Sequence, residues 1–210
     1  MNVAIELNNV GKQFEGEWIF KSVSLHFSNA FVYHIAGGNG SGKSTFLKLL
    51  SAYSSPSKGE IVFTINHQTV SGAELFSKLS WCAPYTDVYS NLSLGELFDF
   101  YKANKPLNCQ NVSEFAQISY LSDHIHKPLK NFSSGMLQRV KLAFAILAKS
   151  DILFLDEPCS NLDEKGVLWY QNLLQQHLQN RLVIIASNNH QSEIFCCNKM
   201  VNIEAFKLPS

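Results

Sequence analysis

The segment Gly37-Gly38-Asn39-Gly40-Ser41-Gly42-Lys43-Ser44-Thr45 constrains this chain more than any other. Glycine, four residues, then Gly-Lys-Ser is the full pattern of a phosphate-binding loop. Its context fits: the apolar run Val32–Ala36 leads in, and a helical pattern, Ser44–Leu50, leads out. Gly37, Gly40 and Gly42 allow a tight backbone whose N–H groups turn inward around a polyphosphate. The helix start adds a partial positive charge, on the order of half a unit. Lys43 brings a full cation to the β- and γ-phosphates, and the Ser44 hydroxyl is placed for Mg²⁺. The expected ligand is therefore a nucleoside triphosphate with its metal, held by residues 37–45.

A second apolar run, Ile152–Asp156, supplies the other half of such a site. It ends in Asp156-Glu157-Pro158, and the proline stops further extension. Asp156 is suited to Mg²⁺ and Glu157 to taking a proton from attacking water.

Further strand-like runs are Val3–Leu7, Val23–Phe27, Ile61–Ile65, Leu79–Ala83, Leu182–Ala186 and Met200–Ile203. Met136, Val140, Ala143 and Leu147 form one helical stripe, and Val167, Tyr170, Leu174 and Leu178 another, within Glu164–Gln179. Ser93 to about Ser122 reads as mostly helical, broken at Pro106. Strands alternating with helices in the second half predict α/β with a parallel central sheet, whereas the first half reads as more antiparallel. No repeat or low-complexity linker divides the chain, so residues 1–210 are expected to form a single domain.

Seventeen basic and 17 acidic residues give no net charge, which disfavours a nucleic-acid partner. No run is long and apolar enough to span a bilayer, and residues 1–18 lack a secretory pattern. Five cysteines with no CxxC point to reduced thiols, so a cytoplasmic location is expected. The vicinal Cys196-Cys197 reads as core or half-buried packing. His124 and His126 have no companion ligand cluster and read as a surface loop.

Between the two halves of the site stands Asn131-Phe132-Ser133-Ser134-Gly135-Met136, and Asn161-Leu162-Asp163 follows the carboxylates. With the phosphate loop and Asp-Glu-Pro, in this order along nearly the whole chain, the sequence resembles the ATP-binding cassette (ABC) family. The resemblance implies a phosphate-loop NTPase of ABC type, with a helical subdomain at about 85–130 inserted in the catalytic core. It implies ATP with Mg²⁺, and a head-to-tail dimer, homomeric or heteromeric. There Ser133, Ser134, Gly135 and Met136 of one subunit close over ATP held by the other, and Asn161, Leu162 and Asp163 lie across the seam. Phe14 matches the aromatic that stacks on adenine, with Trp18 a nearby alternative. Separate membrane permease subunits would be driven by the cassette and hold it at the cytoplasmic face. The amphipathic Leu94–Tyr101 segment belongs to the lobe that receives them.

Three places depart from the family pattern. Ser134 and Met136 stand where the signature usually has glycine and glutamine. Tyr85, after Ala83-Pro84, occupies the position of the glutamine that touches Mg²⁺ or water and links the site to the permease. Asn188 occupies that of the histidine contacting the γ-phosphate, with His190 two residues on, at the expected start of a short helix. An Asn188 amide that reaches the phosphate costs on the order of 1 kcal/mol relative to imidazole. One that does not reach costs about 2.7–4 kcal/mol. The sequence thus predicts an ATPase driving transport, with an ATP-gated regulatory or structural cassette of weak turnover as the alternative. A repair or translation cassette fits less well. Only about ninety residues separate the phosphate loop from the signature, where repair cassettes carry a long coiled-coil insertion, and translation factors of the family carry two cassettes in one chain.

Overall fold

The computed structural model describes residues 2–178 and 180–207. Two sheets and two helical layers make up the fold. The strands β1 (Val3–Phe14), β2 (Glu17–Ser28), β4 (Lys58–Ile65) and β5 (Gln68–Val70) form an antiparallel sheet in the order β2-β1-β4-β5. The strands β3 (Val32–Ala36), β6 (Leu79–Cys82), β7 (Ile152–Asp156), β8 (Leu182–Ser187) and β9 (Lys199–Asn202) form a second sheet, β6-β7-β8-β3-β9. All of its pairs are parallel.

The helices are α1 (Lys43–Leu50), α2 (Gly72–Lys78), α3 (Leu94–Asn104), α4 (Val112–Ile118), α5 (Ser134–Leu147) and α6 (Glu164–Gln176). Caps set their starts: Ser93 and Glu96 form a reciprocal capping box on α3, and Asn111, Ser133 and Asp163 cap α4, α5 and α6.

The parallel strands are apolar on both faces because each face has its own core. Ile152 and Phe154 of β7, with Leu182 and Ile184 of β8, join a core shared with α1 and the antiparallel sheet. Leu153 and Leu155, with Val183 and Ile185, join the core under α3–α6. Each fully buried side chain of this size contributes about 1.5–3 kcal/mol, so the middle of this sheet is anchored from two sides. The strand ends, where β3, β7 and β8 stop together, inherit that rigidity.

The first two strands run longer than their apolar stretches indicate. Bulges interrupt their pairing between Leu7 and Val10 and between Val10 and Gln13, which hides the alternation. The hairpin β4–β5 turns at Asn66 and His67, both with positive φ (50° and 66°), and its second strand is too short to stand out. Gln179, the expected end of the last helix, lies outside the described residues, and α6 stops at Gln176. The helix expected at His190 is a turn instead: Glu193 N–H donates to the His190 carbonyl, but no helical run follows. Cys82 and Cys109 are buried, and Cys159, Cys196 and Cys197 are half-buried; all five are free. His124 packs edge-on against Phe132, and among the described residues no cluster of three potential metal ligands forms. No described helix is long and apolar enough to cross a membrane.

Candidate nucleotide site

Residues 37–42 loop from β3 into α1. Gly37, Gly40 and Gly42 all have positive φ. At Gly37 a Cβ would sit 2.4 Å from Ser41 Oγ, and at Gly42 one would sit 2.6 Å from Ile19 of β2. The loop is thus closed on itself and packed under the β1–β2 hairpin. Lys43 is buried, its Nζ donating to the Gly37 and Gly38 carbonyls at 2.9 and 3.1 Å. An ammonium has three protons, so one remains for a phosphate. Gly38 N–H donates to the Glu204 carboxylate at 3.0 Å, a contact from the C-terminal turn that no local pattern announces.

Asp156, at the end of β7, is almost fully buried, and neither carboxylate oxygen is met at hydrogen-bonding geometry. Burial pushes its carboxyl above the usual range, and the Glu157 charge adds to this. The nearby Ser44 hydroxyl, Lys43 and the Tyr85 hydroxyl pull it back. A buried acid with both oxygens unpaired is costly. A divalent cation beside Ser44 and Asp156 satisfies it, so these residues fit Mg²⁺.

Glu157 adopts a left-handed backbone (φ 45°), and its N–H donates to the Ala186 carbonyl at 2.9 Å. This conformation costs about 1–2 kcal/mol for a non-glycine residue and turns the chain sharply at the strand end. Asn39 from the loop, Glu157 and Ser160 from beyond β7, and Asn188 and His190 from beyond β8 all line one depression of about 360 Å³. Asn188 is exposed there. The turn after β8 is compact: Asn189 has φ 59°, and His190 N–H donates to Ser187 Oγ at 3.2 Å.

Tyr85 follows β6. Its ring lies under the Lys48 ammonium at 4.4 Å and 6.3 Å from the Trp81 ring. Burial raises the phenol pKa, and the Asp156 charge raises it further. The hydroxyl therefore stays protonated beside the carboxylate that fits the metal.

The other expected residues lie apart from this depression. Ser133 Oγ accepts from Met136 N–H at 3.2 Å, and Ser133 and Ser134 are exposed at the start of α5. Gly135 packs on the Asn161 carbonyl, where a Cβ would come within 2.9 Å. Asn161 has φ 64°. Asp163 caps α6 through Gly166 N–H and pairs with Arg139 at 3.3 Å. Phe14 closes β1, is 51% exposed, and has the Lys12 ammonium 5.0 Å from its ring. Trp18 instead is half-buried against Gly11 and carries Lys21 over its ring at 4.3 Å.

His34, on β3, is a contributor that sequence reading passes over. It is buried with Nε2 3.2 Å from the Ser187 carbonyl. Burial lowers its pKa; that carbonyl opposes the shift, and Lys43 adds to it. With the folded value below the unfolded one, near 6.5, the unfolded chain binds more protons. Stability is then full above that pH and falls as pH drops below it. Thermal melts between pH 8 and 5 are expected to show this loss. His34→Gln is expected to flatten part of the slope; His177, which burial also lowers, adds to it, and the raised Asp156 and Glu193 carboxyls act in the opposite direction.

Comparisons with known proteins show the family and the fold. A family model described as "ABC transporter" matches residues 20–160. The ABC transporter ATP-binding protein YcbN of Bacillus subtilis is 32% identical over 176 residues, 83% of this chain and 57% of that protein. YybJ of the same organism is 31% identical over 199 residues, 90% of this chain and 87% of that one. The methionine import ATP-binding protein MetN of Clostridium acetobutylicum is 30% identical, with 96% and 66% covered. An ABC transporter ATP-binding protein of Pyrococcus furiosus shares the fold at TM-score 0.77 and 23% identity, covering 98% of this chain and all of that one.

Proposed function

The chain belongs to the ABC transporter family as an ATP-binding cassette, and from that premise we propose that it hydrolyses ATP to energise separate membrane permease subunits. The observation that carries this reading is the meeting of Asn39, Glu157 and Asn188 in one depression, beside the unpaired, buried Asp156.

In this reading residues 37–45 wrap the phosphates with backbone N–H groups, and Lys43 donates its remaining N–H to them. Ser44 and Asp156 hold Mg²⁺, which when bound neutralises charge on the phosphate oxygens. Phe14 offers its exposed face to adenine. Glu157 takes the proton from the attacking water. Asn188 donates its amide to the γ-phosphate. The exposed Ser133 and Ser134, with the half-buried Gly135 and Met136, serve the site of an opposing cassette, whether a second copy or a different one, with Asn161, Leu162 and Asp163 at the seam.

Replacing Asn188 with Ala removes the γ-phosphate donor altogether and is expected to slow hydrolysis about 10- to 100-fold. Asn188→His supplies a charge-assisted bond and is expected to speed it. Single-turnover phosphate release checks both; no change in either variant removes Asn188 from the mechanism. Turnover that stays negligible in every variant favours the second reading, an ATP-gated cassette, which the Tyr85 and Asn188 replacements motivate.

Tyr85 supports coupling to a permease. Its ring borders a groove of about 430 Å³ with Lys48, Tyr53, Phe76 and Trp81, and the Asp156 charge acts on its phenol. Tyr53 (77% exposed) and Phe76 (48%) leave apolar surface available to a partner helix. The test is purification of the tagged chain from detergent-solubilised membranes of its own source. A multi-span membrane protein that co-purifies supports the transport role. A ribosome, or no membrane protein, overturns it.

A further inference from the structure

Glu193 is the one buried acid in the wall of the nucleotide depression that the proposed chemistry leaves unused. It is 3% exposed. One carboxylate oxygen accepts from Cys159 N–H at 3.0 Å, and the other accepts from the Ser187 hydroxyl. Cys159 lies two residues past Glu157, and Ser187 immediately precedes Asn188. The carboxylate therefore joins the turn that carries the proposed base to the strand end that carries the proposed γ-phosphate donor.

The segment holding Glu193 is itself fixed. Its carbonyl accepts from the buried Tyr170 hydroxyl at 3.0 Å, and the neighbouring Ser192 carbonyl accepts from Gln171 Nε2 at 3.0 Å, both from α6. Its N–H donates to the His190 carbonyl, closing the turn that starts with His190 N–H on Ser187 Oγ. A buried carboxylate near a second acid, Glu157, is an expensive element to retain for packing alone, since an apolar side chain of similar volume is usually tolerated as well or better.

We propose that Glu193 is a positioning residue: its carboxylate braces the Glu157 turn against the Asn188 strand end and fixes the distance between base and phosphate donor. The inference rests on the hydrolysis reading given above. Catalytic groups lose rate steeply when displaced, about 10²-fold for 1 Å. Among the described residues the Glu193 carboxylate bonds to Cys159 and Ser187 and not to the phosphate loop, so the hold on ATP is expected to stay.

The experiment measures kcat and KM for ATP in the wild type, Glu193→Ala, Glu193→Gln, Ser187→Ala and the Ser187→Ala/Glu193→Ala double variant, with a thermal melt of each. Glu193→Ala is expected to lower kcat by about 10- to 100-fold with KM unchanged. Glu193→Gln, which keeps an acceptor for Cys159 N–H, recovers part of that loss. The double variant is no slower than Glu193→Ala alone, because the two groups act as one brace. Should Glu193→Ala fail to fold, Ser187→Ala and Glu193→Gln carry the same test through the split between kcat and KM. A lower melting temperature with kcat unchanged, or kcat and KM moving together, overturns the brace. Absence of turnover in the wild type overturns the hydrolysis reading instead, which separates the two failures.

Discussion

Glu157→Gln is expected to slow ATP hydrolysis by about 10²–10⁴-fold while leaving ATP affinity unchanged. The amide is isosteric and still fits the left-handed turn, but it cannot take a proton from water. The loss corresponds to about 3–5 kcal/mol of transition-state stabilisation. Nothing in the phosphate loop depends on the Glu157 carboxylate: Lys43 is anchored by the Gly37 and Gly38 carbonyls, and the glycine turns by their own packing. Affinity and rate should therefore separate cleanly. In the proposed head-to-tail dimer a second consequence follows, because ATP that is bound but not cleaved would keep two cassettes together. Sedimentation of Glu157→Gln with MgATP is expected to show a dimer, where the wild type returns to monomer as ATP is consumed. If Glu157→Gln hydrolyses ATP at the wild-type rate, the base lies elsewhere.

The second large effect concerns stability. Arg181, just before β8, is 8% exposed and has no buried acid as a partner among the described residues. Its guanidinium donates instead to the Ile146 carbonyl at 2.7 Å, to Ser150 Oγ at 2.6 Å and to Ser80 Oγ at 2.9 Å, with the Ala145 carbonyl at 3.4 Å. Burial lowers its pKa to about 10, and Asp151 partly offsets this, so it remains charged at neutral pH. It caps the negative end of α5 and ties that helix to the edge of the parallel sheet. Arg181→Ala leaves the Ile146 and Ala145 carbonyls without this donor and opens a cavity. An expected cost of about 3 kcal/mol follows, read from urea unfolding midpoints. Ser80 and Ser150 keep their mutual bond at 2.8 Å, which limits the damage. Arg181→Met is expected to cost less, since it refills the volume and removes a buried charge. Equal stability of wild type and Arg181→Ala would show that water already serves these carbonyls.

The sequence made the middle of the parallel sheet legible because β7 and β8 are buried on both faces. Their runs are unbroken, and each ends on polar residues with chemistry to do. The phosphate loop was legible for a related reason: its glycines, lysine and serine stand at the fixed spacing that the strand–loop–helix turn requires. The antiparallel sheet was only partly visible. Asn9 and Ser22 take positive φ inside β1 and β2, and such bulges scramble the two-residue period on which strand reading depends. The turn after Asn188 reads as the start of a helix because its polar residues resemble a cap. Their partners are tertiary: Ser187 Oγ is taken by Glu193, and Glu193 by Cys159, 34 residues earlier. Glu204 on Gly38 spans 166 residues. No local pattern encodes such pairs, since a lone glutamate in a polar stretch reads as solvated surface.

Tyr85 and Asn188 raise the sharpest doubt about chemistry, and the structure turns both into testable positions. The Tyr85 phenol feels the charge of the carboxylate that fits the metal, and Asn188 opens onto the same depression as Glu157. The most direct test is steady-state phosphate release by the purified wild-type chain at saturating MgATP, with Lys43→Ala measured beside it. The wild type is expected to turn over ATP, and the variant to lose that activity. Equal, negligible release from both would contradict hydrolysis by this cassette.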